Sequence, residues 1–245
     1  MVRPPTPSTR GILAFACLLV AMLWARDSLG QDTANEQYVA AGIYETGLTA
    51  ALPEDAVCPE IASGFADAFN RSGRPRGAYA QWALHAGTDF ALSDGTPIVA
   101  IADGKVVARG SDEPGSEPGN FVTIEHPHLP GAISSNYVHL SAFNVDKGQS
   151  VKQGQVIGFV GRTGNGVTFS HLHLNIYGRQ VVRVGKGRLR YRHDFLQVLS
   201  RDMTPIDPVK KRMQKVTVAY MDQYGRVHPA NAKVIWPFVC ERSTE

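Results

Sequence analysis

The chain has 245 residues, of which 43% are hydrophobic and 19% charged, and its mean hydropathy is −0.15. That balance excludes intrinsic disorder, collagen-like repeats and a multi-span membrane protein, and the length allows one domain with trimmings or two small ones. A formal net charge of +3 gives no electrostatic argument for a nucleic-acid partner, and none is expected.

Residues 1–30 begin with Arg3 and Arg10, continue through an apolar run over 11–25 and end on the small residues Ser28 and Gly30. This is the pattern of a secretory signal peptide cleaved after Gly30. The run falls short of the roughly 20 residues that a spanning helix needs, so no permanent membrane anchor is expected. Cys17 sits inside the apolar core, where a lipidated cysteine does not belong. Cleavage removes Arg3, Arg10, Arg26 and Asp27, which brings the charge from +3 to +1. The reading is of a nearly neutral, exported protein, periplasmic or extracellular. In an oxidising compartment, Cys58 and Cys240 are most simply a disulfide; two buried free thiols are the alternative.

Residues 31–57 are polar with scattered Ala and read as a short helix or loose lead-in. The segment 58–200 reads as a β-domain. With 24 Gly and 15 Pro in the chain, short strands joined by turns are favoured over long helices. Residues 97–102, 105–109, 120–125 and 135–140 are strand-like, and glycines punctuate short apolar runs from 148 to 166. The spacing is that of a compact, mostly antiparallel β-fold. The basic stretch 179–192 reads as a solvated loop. Residues 201–245 read as a C-terminal extension in which 215–221 and 233–239 form a hairpin about Tyr224 and Gly225.

The chemistry concentrates in two histidine-bearing segments. In Ser170-His171-Leu172-His173-Leu174-Asn175-Ile176 polar and apolar residues alternate without a break, so the segment is a strand with both imidazoles on one face. Neutral imidazole is a common zinc ligand, yet H-x-H alone also describes two exposed histidines on a solvated face. A second cluster, His85-Ala86-Gly87-Thr88-Asp89, offers an imidazole and a carboxylate four residues apart. His85, Asp89 and one of the paired histidines, with a water, make a four-coordinate zinc with an open position, the catalytic arrangement. His126-Pro127-His128 reads as a loop at a sheet end, since proline is poorly tolerated in a central strand.

These segments resemble the motifs of the lysostaphin/LytM-type zinc endopeptidases. The resemblance covers about residues 60–178 and rests on His85-Ala86-Gly87-Thr88-Asp89, Tyr137-Val138-His139-Leu140 and His171-Leu172-His173 in that order. Residues 119–126 and 151–161 are similar to the intervening segments. The resemblance implies a mainly β, antiparallel two-sheet β-sandwich or half-barrel (a barrel-sandwich hybrid), with a short N-terminal helix. It implies one Zn2+ held by His85, Asp89 and His173, with His139 and His171 acting on the water and the developing oxyanion. The implied activity is hydrolysis of peptide bonds in bacterial cell-wall peptidoglycan, in its peptide stems or cross-bridges, by a monomer. Two departures stand beside it: Phe169-Ser170 replaces the usual Gly-Pro, and Leu174-Asn175 replaces an aromatic and an acid. A biotin- or lipoyl-carrier reading of 151–161 fails because Lys152 lies within an apolar run rather than at a hairpin tip. An exported zinc protease acting on proteins is a further alternative, as is a non-catalytic wall-binding or amidase-activating module, although relatives of that kind typically lack ligand residues and all five positions are filled here.

Overall fold

The computed structural model describes residues 36–76, 84–110, 119–184, 187–200 and 214–242. Residues 1–30, read above as a signal peptide, lie outside the described residues. A helical turn, α1, spans 36–40 and is followed by β1 (Leu48–Ala51) and β2 (Ala56–Val57). Next come β3 (Thr88–Ala91), β4 (Pro97–Val99), β5 (Gly104–Gly110), β6 (Phe121–Glu125), β7 (Ser134–Val138), β8 (Ala142–Phe143), β9 (Ser150–Val151) and β10 (Val156–Phe159). The chain continues through β11 (His171–Val184), β12 (Gly187–His193), the helix α2 (Phe195–Ser200), β13 (Gln214–Thr217), β14 (Tyr220–Asp222), β15 (Val227–His228) and β16 (Val239–Arg242).

The protein is mainly β, built on antiparallel sheets. The larger sheet has the order β12-β11-β7-β6-β5-β9, and β3 lies alongside the first residues of β11. A smaller antiparallel sheet has the order β4-β10-β8. Side chains alternate faces along each strand, so residues from both sheets, among them Ile98, Ile124, Ile157 and Leu172, meet in one continuous buried cluster. Phe90 is central to it. Its ring takes edge-on contacts from Trp236 at 5.1 Å, Phe238 at 5.4 Å and Phe195 at 6.4 Å. Offset and edge-on aromatic pairs of this kind add about 0.5–1.5 kcal/mol each beyond the area they bury. Because β3 alternates, anchoring Phe90 inward holds Asp89 outward on the opposite face.

A chain of hydrogen bonds crosses the interior beside this core. The Ile101 amide donates to the Tyr137 hydroxyl at 3.0 Å, and Tyr137 is bonded in turn to Ser135. The Ser135 hydroxyl lies 2.8 Å from His126 Nε2, and His126 Nδ1–H donates to the Asp103 carbonyl at 2.7 Å. His126 is fully buried and its pKa is pushed down to about 4 by that burial, against the raising effect of the Asp103 carbonyl. It is a satisfied interior histidine just past the end of β6, and Pro127 and His128 form the turn that follows.

Two expectations need correction. The basic stretch is a hairpin of β11 with β12, in antiparallel register from Ile176↔His193 to Val184↔Gly187, and not a solvated loop. Its arginines alternate with apolar residues, and the pairing with β11 fixes which of them face inward. The C-terminal hairpin is also narrower than expected. The partner of β14 across the Tyr224-Gly225 turn is β15, while β16 runs parallel to β14. Two residues of β15 end at the Pro229 peptide, which has no N–H to extend the ladder. Residues 215–217 of the expected hairpin pair with β1 instead, in parallel. β2 pairs with β16, and Cys58 is bonded to Cys240 beside that pair, 182 residues away in sequence.

Candidate metal centre and groove

Three elements converge on one point. β11 carries His171 and His173, β3 carries Asp89 opposite His173 in the ladder, and the turn before β3 carries His85. His85 Nε2 lies 3.1 Å from Asp89 Oδ1 and 3.1 Å from His173 Nδ1, and His173 Nδ1 lies 2.8 Å from Asp89 Oδ1. The point equidistant from all three in their plane is about 1.7 Å from each, inside the roughly 2.0–2.2 Å bonds that zinc makes to nitrogen and oxygen. One ion can therefore touch all three.

The surrounding hydrogen bonds decide the tautomers. His85 Nδ1 lies 2.7 Å from the Gly64 carbonyl, which can only accept, so the proton sits on Nδ1 and Nε2 is bare. For His173 the argument passes through Asn175. An Arg192 N–H, which can only donate, lies 2.5 Å from Asn175 Oδ1, so that atom is the amide oxygen. The same oxygen lies 3.0 Å from His173 Nε2, which must therefore carry the proton and leave Nδ1 bare. Asn175 Nδ2 donates to Asn136 Oδ1 at 3.1 Å, and Asn136 Nδ2 donates to Thr123 at 2.9 Å, which locks both amides. Two lone pairs and a carboxylate oxygen thus face one another with no proton between them. Three acceptors with no donor form a candidate cation site.

Two further imidazoles stand beside this triangle. The His139 and His171 ring centres are 4.6 Å apart, His139 is 5.9 Å from His173, and His171 Nε2 is 3.9 Å from Asp89 Oδ1. His139 Nδ1–H donates to the Thr163 carbonyl at 2.9 Å and His171 Nδ1–H to the Phe169 carbonyl at 3.0 Å, which leaves each Nε2 bare. Burial, then the neighbouring His173 and His171, push His139 down to about 4; burial also lowers His171. His139 closes β7 at φ 68°, a conformation that few non-glycine residues adopt. Gly161 lets this corner form, because a Cβ there would meet the backbone of His139 and Ser141. Both rings face a groove of about 590 Å³ that runs along the face of β11 bearing His171, His173, Asn175 and Tyr177.

The structure brings His85, Asp89, His139, His171 and His173 into this one site and leaves His126 outside it. Sequence reasoning missed four supporting groups. These are the Gly64 carbonyl, Asn136, Arg192, and Arg76, which donates to Ser63 at 2.7 Å and lies 3.8 Å from Asp89 Oδ2. Asn175 was visible as the next position on the histidine face. The carbonyl and the arginines had no signal, since nothing local in sequence places them near His85 or Asn175.

Bare imidazole and carboxylate donors beside further imidazoles in an open groove make this a candidate metal centre. Residues 83–184 match the model of peptidase family M23. It is 44% identical over 92 residues to the DD-carboxypeptidase/endopeptidase Mpg of Neisseria meningitidis, covering 38% of this chain and 20% of that protein. It is 45% identical over 101 residues to the peptidoglycan DD-endopeptidase ShyA of Vibrio cholerae, covering 40% of this chain and 22% of that protein. The catalytic domain of lysostaphin from Staphylococcus simulans is 33% identical, with 47% of this chain and 79% of that one covered and a TM-score of 0.39. The matched segment thus spans only about a fifth of the length of those two curated relatives.

Proposed function

We propose that the protein is a zinc-dependent endopeptidase that hydrolyses peptide bonds in bacterial cell-wall peptidoglycan. The observation that carries this reading is the convergence of three proton-free acceptors, His85 Nε2, Asp89 Oδ1 and His173 Nδ1, beside the bare Nε2 atoms of His139 and His171. The relatives' names support the substrate, and an exported location, implied by residues 1–30, agrees with it. A zinc ion held by His85, Asp89 and His173 would supply Lewis acidity and lower the pKa of its water toward about 7.

The chain's own residues do the rest. His139 and His171 are neutral at pH 7, so either Nε2 can take the proton of the attacking water. Their Nδ1–H bonds to the Thr163 and Phe169 carbonyls fix the ring orientations and stabilise the imidazolium once it forms. The imidazolium so formed stabilises the developing oxyanion by its charge and then returns the proton from its Nε2 to the leaving amine. The groove along β11 orients an extended peptide past these rings.

The test is a set of single variants assayed for zinc content and for digestion of purified peptidoglycan. His85→Ala, Asp89→Ala and His173→Ala lose zinc and activity together. His139→Ala and His171→Ala keep zinc but lose roughly 10²–10⁴ in rate. Zinc retained by His173→Ala and lost by His171→Ala would exchange their roles. Full activity in Asp89→Ala would remove the reading altogether.

A further inference from the structure

The basic face of β12 is not explained by hydrolysis alone. Arg192 lies partly buried at the groove wall, opposite Tyr177 in the β11–β12 register. Its guanidinium stacks 4.2 Å from the centre of the Tyr177 ring and donates to the neutral Asn175 amide at 2.5 Å. Arg190 covers the same ring from 5.2 Å and donates to Ser134, adding a second positive charge behind the first. Among the described residues Arg192 forms no ion pair. Arg71 and Arg76 also line the groove, and Asp89 is its only acidic lining residue among those described. That carboxylate is committed to the triangle of bare acceptors.

A desolvated guanidinium with neutral partners is costly unless an anion completes it, and its planar fork suits a carboxylate above other anions of peptide chemistry. The position is informative too. Asn175 and Tyr177 follow His173 on one face of β11, about 7 and 13 Å along the strand. An extended peptide whose reacting carbonyl lies at the histidines would bring a carboxylate one to three residues away against Arg192. We infer that Arg192 is a specificity-determining residue that binds a substrate carboxylate, so that the enzyme selects acid-bearing stem peptides over uncharged bridges such as glycine chains.

This inference rests on the peptidase reading, and the experiment separates the two. One cross-linked peptidoglycan peptide is prepared with its carboxylates free and with them amidated, and kcat/KM is measured on both. Wild type should favour the free acid by roughly ten- to a hundredfold, the range for a hydrogen bond to a charged group. Arg192→Gln, whose amide can still donate to Asn175, should bring that ratio to about one while zinc content stays at the wild-type level, and Arg192→Lys should fall between. Equal wild-type rates on the two peptides would overturn the inference and leave the peptidase intact. A ratio that survives Arg192→Gln, or a uniform fall on both peptides with loss of zinc, would also overturn it, the latter by reducing Arg192 to a support for Asn175. Failure of the zinc-loaded wild type to cut either peptide would remove the peptidase reading itself.

Discussion

Gly87 stands between two of the three proposed ligands, and replacing it with alanine tests how rigidly they are held. A Cβ at this position would lie 2.7 Å from His173 Nε2 and 2.7 Å from the Leu174 carbonyl oxygen. Ordinary contact begins near 3.4 Å, so the groups must part by about 0.7 Å. The Leu174 carbonyl belongs to β11 and cannot turn away. The His173 ring can, but only by giving up its 3.0 Å bond to Asn175 and swinging Nδ1 out of the acceptor triangle. A movement of that size exceeds the roughly 0.5 Å within which a preorganised site must hold its groups. Losing the hydrogen-bonded support of a ligand costs about 10–100-fold in metal affinity. Overpacking adds about 1–3 kcal/mol of destabilisation, too little to unfold the domain by itself. Titration of wild type and Gly87→Ala with zinc in a competing chelator, alongside melting curves of the metal-free proteins, separates these effects. The expected result is a dissociation constant raised about 10–100-fold in a folded variant. Wild-type zinc affinity in Gly87→Ala would refute the claim that packing against Gly87 fixes His173.

His126 makes a pH prediction. An unfolded histidine titrates near 6.5 and this one is held at about 4, so between those values the unfolded chain binds a proton that the folded chain refuses. Stability therefore falls as pH drops through that window, by up to about 3 kcal/mol from this residue. Urea midpoints at pH 7 and 4.5, taken in chelator, should show a smaller acid loss for His126→Gln than for wild type; equal losses would show that His126 does not govern it. Free-thiol labelling of the unreduced, unfolded protein should find neither Cys58 nor Cys240 reactive, and two reactive thiols per chain would contradict the bond. Reduction should lower stability by roughly 2–5 kcal/mol, read as a lower melting temperature.

Periodicity made the site strand legible. Alternation from Ser170 to Ile176 placed His171 and His173 on one face, and the same alternation extends to Asn175 and Tyr177. The order of the His85-Asp89, His139 and H-x-H motifs carried the likeness to the family. Local sequence could not place Gly64, whose carbonyl acts on His85 through space, or reveal that Arg192 decides the Asn175 amide. The basic run read as a loop because charge density dominates that stretch, whereas its apolar alternates, Val182 and Leu189, pack against a second small cluster around Ala41 and Ile43. The parallel pairings of β1 with β13 and of β14 with β16 join segments far apart in the chain or separated by an intervening strand, and no local pattern announces such partners.

The aromatic contacts on Phe90 bear on how this protein can be rearranged. Phe195, Trp236 and Phe238 all lie beyond residue 184, where the match to the family ends, yet they buttress the strand that presents Asp89. The family segment is therefore not a detachable module in this protein. Grafted onto another chain, or expressed alone as 83–184, it would expose Phe90 to water and free the backbone on which the carboxylate depends. Recombination that exchanges the C-terminal region between relatives must carry compatible aromatic partners with it, or the proposed metal site fails from a change made some 150 residues away.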